Sequence, residues 1–93
     1  MDFLQTNRKL NIRFKRKDTT LFLFCDGSDT FSKIKSVLFS HFGAKEEKEI
    51  NLWASDCSTK YADMAMVSDF AGLSDNSIVL VAIGEEVPQP IAV

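Results

Sequence analysis

Only one stretch of this 93-residue chain has the spacing of a helix that must hide one side. In DGSDTFSKIKSVLFSHFG, residues Phe31, Ile34, Leu38 and Phe42 recur at steps of three and four, the interval that stacks side chains on one helical face. Asp29 or Thr30 stands where a side-chain oxygen caps the first free amides, and Gly43 where the chain needs a left-handed exit. Val37 and Phe39 widen the apolar face beyond what one sheet contact needs. One helix covers one face of one sheet, so the remaining apolar residues must form strands whose other face is left to water, to the chain itself or to a partner.

The strands are legible as alternation. In LNIRFKR, Leu10, Ile12 and Phe14 fall on one side and Arg13 and Lys15 on the other. After Lys17-Asp18, a polar turn without glycine, TTLFLFC resumes as a second strand, with Thr20, Phe22 and Phe24 on one face and the opposite set on the other; the pattern leaves open which faces in. The solvated AKEEKE leads to INLWA, where Ile50 and Leu52 point one way and Asn51 and Trp53 the other. SDCSTKYADMAM is turn-rich, with room for a short strand near Thr59 to Tyr61. VSDF predicts a single helical turn, followed by a bend at Gly72 and a turn at Asp75-Asn76. The last strand, SIVLVAI, is apolar on both alternating faces. The economical packing is α+β: a mixed sheet of four to five strands on one helix, with the last strand central and parallel to the first, a β-grasp. The expected divisions are an N-terminal extension (1–8), the domain (9–84) and an acidic, proline-bearing tail (85–93).

Composition narrows the function. Hydrophobic residues make up 45% of the chain and charged residues 26%, a balance that supports a single folded core. A net charge of -2 supplies no overall positive field for nucleic acid or anionic lipid, and the basic run from Arg13 to Lys17 alternates with apolar residues as a solvated strand face does. The first residues lack the apolar core of a secretory signal and no segment reaches membrane-spanning length, so the expected location is cytoplasmic or nuclear, with Cys25 and Cys57 reduced. Two cysteines outside any CxxC and a single histidine complete neither a zinc site nor an iron–sulfur cluster, and no glycine loop cradles phosphate. No metal, cofactor or small-molecule substrate is expected. A catalytic pair of Cys57 with His41 is the one nucleophilic option, weighed against His41 as a packed residue near the buried edge of the helix and Cys25 as a small core hydrophobe.

GSDTFSKIKSVL followed about thirty residues later by VSDFAGLSDNSIVLV resembles the ubiquitin-like superfamily, in order and spacing, over roughly Leu10 to Ile83. Within it the chain is similar to the elongin B type of adaptor: DTTLF (Asp18 to Phe22) matches the hairpin, and Val37 and Phe42 match extra aliphatic positions on the helix. The resemblance implies a non-catalytic domain that binds proteins. Its partner would be elongin C-like and, through it, a cullin-based ubiquitin ligase; the alternative is a ubiquitin-like domain of a larger deubiquitinase or shuttle protein met by ubiquitin-binding partners. Conjugation needs a terminal Gly-Gly that threads narrow channels, and no two glycines of this sequence are adjacent.

The docking surface predicted from these residues is the uncovered sheet face. With Ile78, Leu80 and Ala82 pointing at the helix, Val79, Val81 and Ile83 would join Trp53 and Asn51 outside, in the region that resembles ubiquitin's hydrophobic recognition patch. Partner binding is therefore expected at Trp53, Val79, Val81, Ile83 and Asn51, since indole and β-branched side chains in contact make a typical anchor. Two competing expectations are that the loop from Asp56 to Met66 folds back over the patch, and that the face serves only self-association. The tail is expected to be flexible or to lie along a partner.

Overall fold

Four strands and one helix form where the periodicities place them. The computed structural model describes residues 9–90, with β1 at Lys9–Arg16, β2 at Thr19–Asp26, α1 at Phe31–Leu38, β3 at Ile50–Ala54 and β4 at Ile78–Ile83. Short 3₁₀ turns at Glu47–Glu49 and Val67–Asp69 join them. The sheet order is β2-β1-β4-β3: the β1–β2 hairpin and the β4–β3 pair are antiparallel, and β1 runs parallel to β4 in the centre. This is the mixed sheet on one helix that the sequence predicts.

The hairpin is closed by two residues between Arg16 and Thr19, and its ladder continues without a slip to Lys9 and Asp26. Such a loop twists correctly only with left-handed backbone, and Lys17 adopts φ +55° where glycine or asparagine is the usual occupant. At the helix start it is Thr30 that caps, accepting from the Lys33 N–H at 3.2 Å. Asp29 instead accepts from the Asp26 N–H and pairs with Lys33. Helical geometry stops at Leu38, so the predicted stretch to Phe42 continues as turns that bring Phe42 into the core before Gly43 exits at φ +82°. His41 lies in these turns and is exposed, not packed at a buried helix edge.

Between helix and sheet, Phe31, Ile34 and Leu38 meet Ile12, Phe14 and Leu52, all buried. An aromatic cluster closes one end: the Tyr61 ring stacks on Phe31 at 4.6 Å between centroids, and Phe70 meets both rings edge-on. The segment expected as a further short strand is a single bridge, Lys60 to Trp53, which steers Tyr61 inward. The loop from Asp56 to Met66 thus sends Tyr61 to the core and meets the outer sheet face at Trp53, whose ring centroid lies 5.9 Å from the Lys60 ammonium, while Met64 stays 82% exposed.

The facing of β4 reverses the expectation. Val79 is fully buried beside Phe14, and Val81 lies opposite Leu52; residues paired across a ladder share a face, so both valines point at the helix. Leu80 and Ala82 are the outward pair. Because side chains alternate with a period of two, one residue of shift exchanges the entire set between faces. Both sets are apolar and both are buried here, so hydrophobicity alone carries no parity.

Two substitutions test this packing by urea unfolding. Val79→Ala removes two methylene equivalents from a filled core and is expected to cost about 2 kcal/mol, whereas Phe24→Ala on the exposed face stays within about 0.5 kcal/mol. Lys17→Gly is expected to stabilise by about 0.5–1 kcal/mol, the relief of a left-handed side-chain clash less glycine's added freedom when unfolded.

Candidate docking face of the sheet

The face of the sheet away from α1 follows from the ladder registers. Thr20, Phe22 and Phe24 of β2 lie beside Lys15, Arg13 and Asn11 of β1; Ile78 and Leu80 of β4 continue the rows, and Leu80 lies opposite Trp53 of β3. This face has two unlike halves.

Over β4 and β3 the chain covers itself. After β4, Gly84 turns at φ +63° with its N–H on the Glu49 carbonyl, and residues 86–90 fold back over Leu80 and Ala82, which are 5% and 1% exposed. Glu86 is the latch. It accepts from the Ile83 N–H at 2.9 Å and from Arg16 Nε at 3.0 Å, with a second, closer contact from Arg16 Nη2 that makes the pair bidentate. Lys17 stands 3.9 Å away. The hydrogen bond from Arg16 first, and then that from Ile83, hold the Glu86 carboxyl down at about 2. Further along, the Cys57 thiol donates to the Pro88 carbonyl at 3.4 Å. A cleft of about 590 Å³ is left between tail and sheet, walled by Lys15, Arg16, Leu80, Ala82, Val87 and Pro88. The described part of the tail is thus neither free nor waiting for another molecule to lie on; it packs on its own sheet.

The predicted site residues separate accordingly. Val79 and Val81 are core residues, and the half-buried Ile83 packs against the same core, so none of the three is on the docking face. Asn51 is on that face, but its side-chain amide donates to the Gly84 carbonyl at 3.0 Å and serves the turn into the tail. Trp53 is half-buried beside Leu80, the Lys60 ammonium lies 5.9 Å from its ring centroid, and its indole N–H is closed off from solvent without an acceptor among the described residues.

Over β1 and β2 the face is open. Phe22 is 55% exposed and Phe24 70%, on neighbouring outward positions, while half-buried Ile78 extends the row beyond Arg13. The Arg13 guanidinium sits 5.6 Å from the Phe22 ring centroid, a contact worth roughly 0.5–1 kcal/mol at an exposed site. The result is an apolar patch bordered by the positive charges of Arg13 and Lys15. Phe22 and Phe24 were the residues to single out. The signal was present in the alternation of TTLFLFC, but its parity was open.

The two cysteines lie in unlike surroundings. Cys25 is buried, and desolvation first, then the charges of Asp29 and Asp26, push its thiol up to about 11. Cys57 bonds Pro88, not His41. Among the described residues no three metal-ligating side chains gather, and no helix is long and apolar enough to cross a membrane.

No protein-family model matches the sequence, and no curated protein matches it significantly. Solved structures do match. The solution structure of a ubiquitin-like domain from an Arabidopsis thaliana protein superposes with a TM-score of 0.66 at 20% identity, over 82% of this chain and 78% of that one. The fold is that of a ubiquitin-like domain. The N-terminal ubiquitin-like domain of the 4931431F19Rik protein gives 0.69 at 14% identity, over 92% and 85% of the two chains. ATBAG1, crystallised in complex with HSP70, gives 0.69 at 16% identity over 82% of this chain; the match spans 41% of that longer one. At these identities the ubiquitin-like architecture is what the chains share.

The latch has a defined acid window. A carboxyl held below its ordinary 4.5 stabilises the closed tail fully above that value and loses the contribution as pH falls toward about 2. The amide resonance of Ile83 is expected to stay fixed down to pH 4.5, move only on further acidification, and sit at its released position already at neutral pH in Glu86→Gln; a midpoint at 4.5 in the unmodified protein contradicts the latch. With iodoacetamide at mildly alkaline pH, Cys57 is expected to react in the folded protein and Cys25 only after unfolding, as read by mass spectrometry.

Proposed function

We propose that this chain is a non-catalytic ubiquitin-like protein-interaction domain that docks through the open half of its outer sheet face, with Phe22 and Phe24 as anchors and Ile78 and Arg13 beside them. The observation that carries the reading is the pair of exposed phenylalanine rings on neighbouring outward positions of a sheet whose other apolar residues are buried or half-buried. Keeping two such rings in water forgoes roughly 1.5–3 kcal/mol of burial for each, which a partner recovers, and aromatic side chains next to arginine are common anchors. A neighbour of the same fold, ATBAG1, is known in complex with a protein, HSP70, which supports protein binding as the use of this architecture.

In its finer form the proposal is an elongin B-like adaptor of a ubiquitin-ligase or transcription-elongation complex. The hairpin sequence DTTLF supports it, and that hairpin presents Phe22. The partner would be elongin C-like. A second reading, a ubiquitin-like domain within a larger deubiquitinase or shuttle-type protein, is favoured by the 41% share that the match occupies in ATBAG1.

Titration calorimetry of the purified chain with an elongin C-like protein separates these readings from one another. The adaptor reading expects tight binding that falls at least roughly tenfold, about 1.4 kcal/mol, in the double variant Phe22→Ser, Phe24→Ser with unchanged thermal midpoint. Binding undiminished in that variant removes the open half-face from the proposal. No binding to the elongin C-like protein, together with weak binding to ubiquitin-receptor proteins lost in the same variant, favours the second reading. Trp53→Ala is the control, expected to act on stability more than on binding.

A further inference from the structure

The edge of β2 is a second, separate surface. β2 pairs with β1 on one side only. A hairpin closed by two residues makes Arg16 and Thr19 a hydrogen-bonded pair, so the odd-numbered residues of β2 bond inward and Thr20, Phe22 and Phe24 turn their N–H and C=O groups to the outside. Among the described residues none of these six groups has a partner. The free window has a clear end: at Asp26 the N–H goes to the Asp29 carboxylate and the carbonyl accepts the Asp29 N–H.

Sheet edges normally carry a device against pairing: a charge, a proline, a bulge or a cover. From Thr19 to Cys25, TTLFLFC contains no charge, no proline and no glycine, and its ladder has no bulge. Strands of this composition pair readily with their own kind. The free groups are also self-complementary. They span Thr20 to Phe24 with Phe22 at the centre, so a twofold axis through Phe22 pairs every one of them: Phe22 with Phe22 of a second copy, and Thr20 with Phe24 in both directions. Because the window is uncharged, this antiparallel register sets no like charges opposite one another within it. Facing residues share a sheet side, so the two exposed Phe22 rings meet across the axis.

We infer that β2 is a homodimerisation edge, on which a second copy of this chain adds antiparallel through Thr20–Phe24 to make one continuous eight-stranded sheet. This contact rests on backbone groups at the sheet's side and shares only the Phe22 ring with the docking proposed above, which uses side chains on the face. One edge strand and one pair of facing rings fall short of the usual 800 Å² or so per partner, so the dimer is weak and concentration-dependent.

Sedimentation of the purified chain from roughly 10 µM to 1 mM is expected to show the mass rising from 10.4 kDa toward twice that value, as for a small interface. Thr20→Pro removes one outward donor, where an edge strand tolerates proline, and leaves Phe22 and Phe24 in place. It is expected to hold the protein monomeric throughout while binding of a face-docking partner is unchanged, so failure of one proposal does not imply failure of the other. A circular dichroism spectrum and thermal midpoint matching the unmodified chain establish that the variant folds. In a Cys57→Ser background, Phe22→Cys is expected to form a disulfide dimer under mild oxidation much faster than Phe24→Cys. A chain monomeric at 1 mM, a dimer that persists in folded Thr20→Pro, or faster cross-linking at position 24 overturns the inference.

Discussion

Two cross-strand contacts hold the architecture together: Phe14 beside Val79, and Leu52 opposite Val81. They join the central parallel pair to the β3 edge and fix which side of β4 meets α1. Every other placement follows from that choice. With the valines turned to the helix, Leu80 and Ala82 must face the other way, on a side that α1 cannot reach, and the chain closes that side with residues 86–90.

The outer face is consequently divided by residues 86–90. Its β3 and β4 half is covered by a short, proline-bearing segment that cannot add a strand and is held by a bidentate ion pair to Arg16 at the close of β1. Its β1 and β2 half carries two exposed phenylalanines and a cation over one of them. Trp53, by residue type the strongest anchor, is drawn into the covered half by its pairing with Leu80 and by the Lys60 bridge. Side-chain chemistry ranks anchors only after exposure is known.

Legibility in the sequence varied with the number of faces a strand buries. β1 was readable because only one side is apolar: Ile12 and Phe14 went inward and Arg13 and Lys15 outward. The helix was readable for the same reason, apart from its end, where the turns after Leu38 still deliver Phe42 to the core. β3 was read correctly from Ile50 and Leu52. β4 was not, because both of its faces are apolar; yet the β3 facing already constrained it, since Leu52 needs a core residue opposite and the register supplies Val81. The composition of the outer face depends on that same facing. Val79, Val81 and Ile83 left the outer face, and Phe22 and Phe24, whose parity the alternation had left open, took their place.

By itself the sequence determined the element types, their order and the β-grasp arrangement, because period and length are properties of a local stretch and one helix can serve only one sheet. Tertiary structure alone decided the parity of the doubly apolar strand and the closure of half the outer face. Both are long-range: the first is settled by partners twenty-nine and sixty-five residues away, Leu52 opposite Val81 in the β3 ladder and Phe14 beside Val79 in β1, and the second by Arg16 and Glu86, which lie seventy residues apart and meet only once the sheet exists.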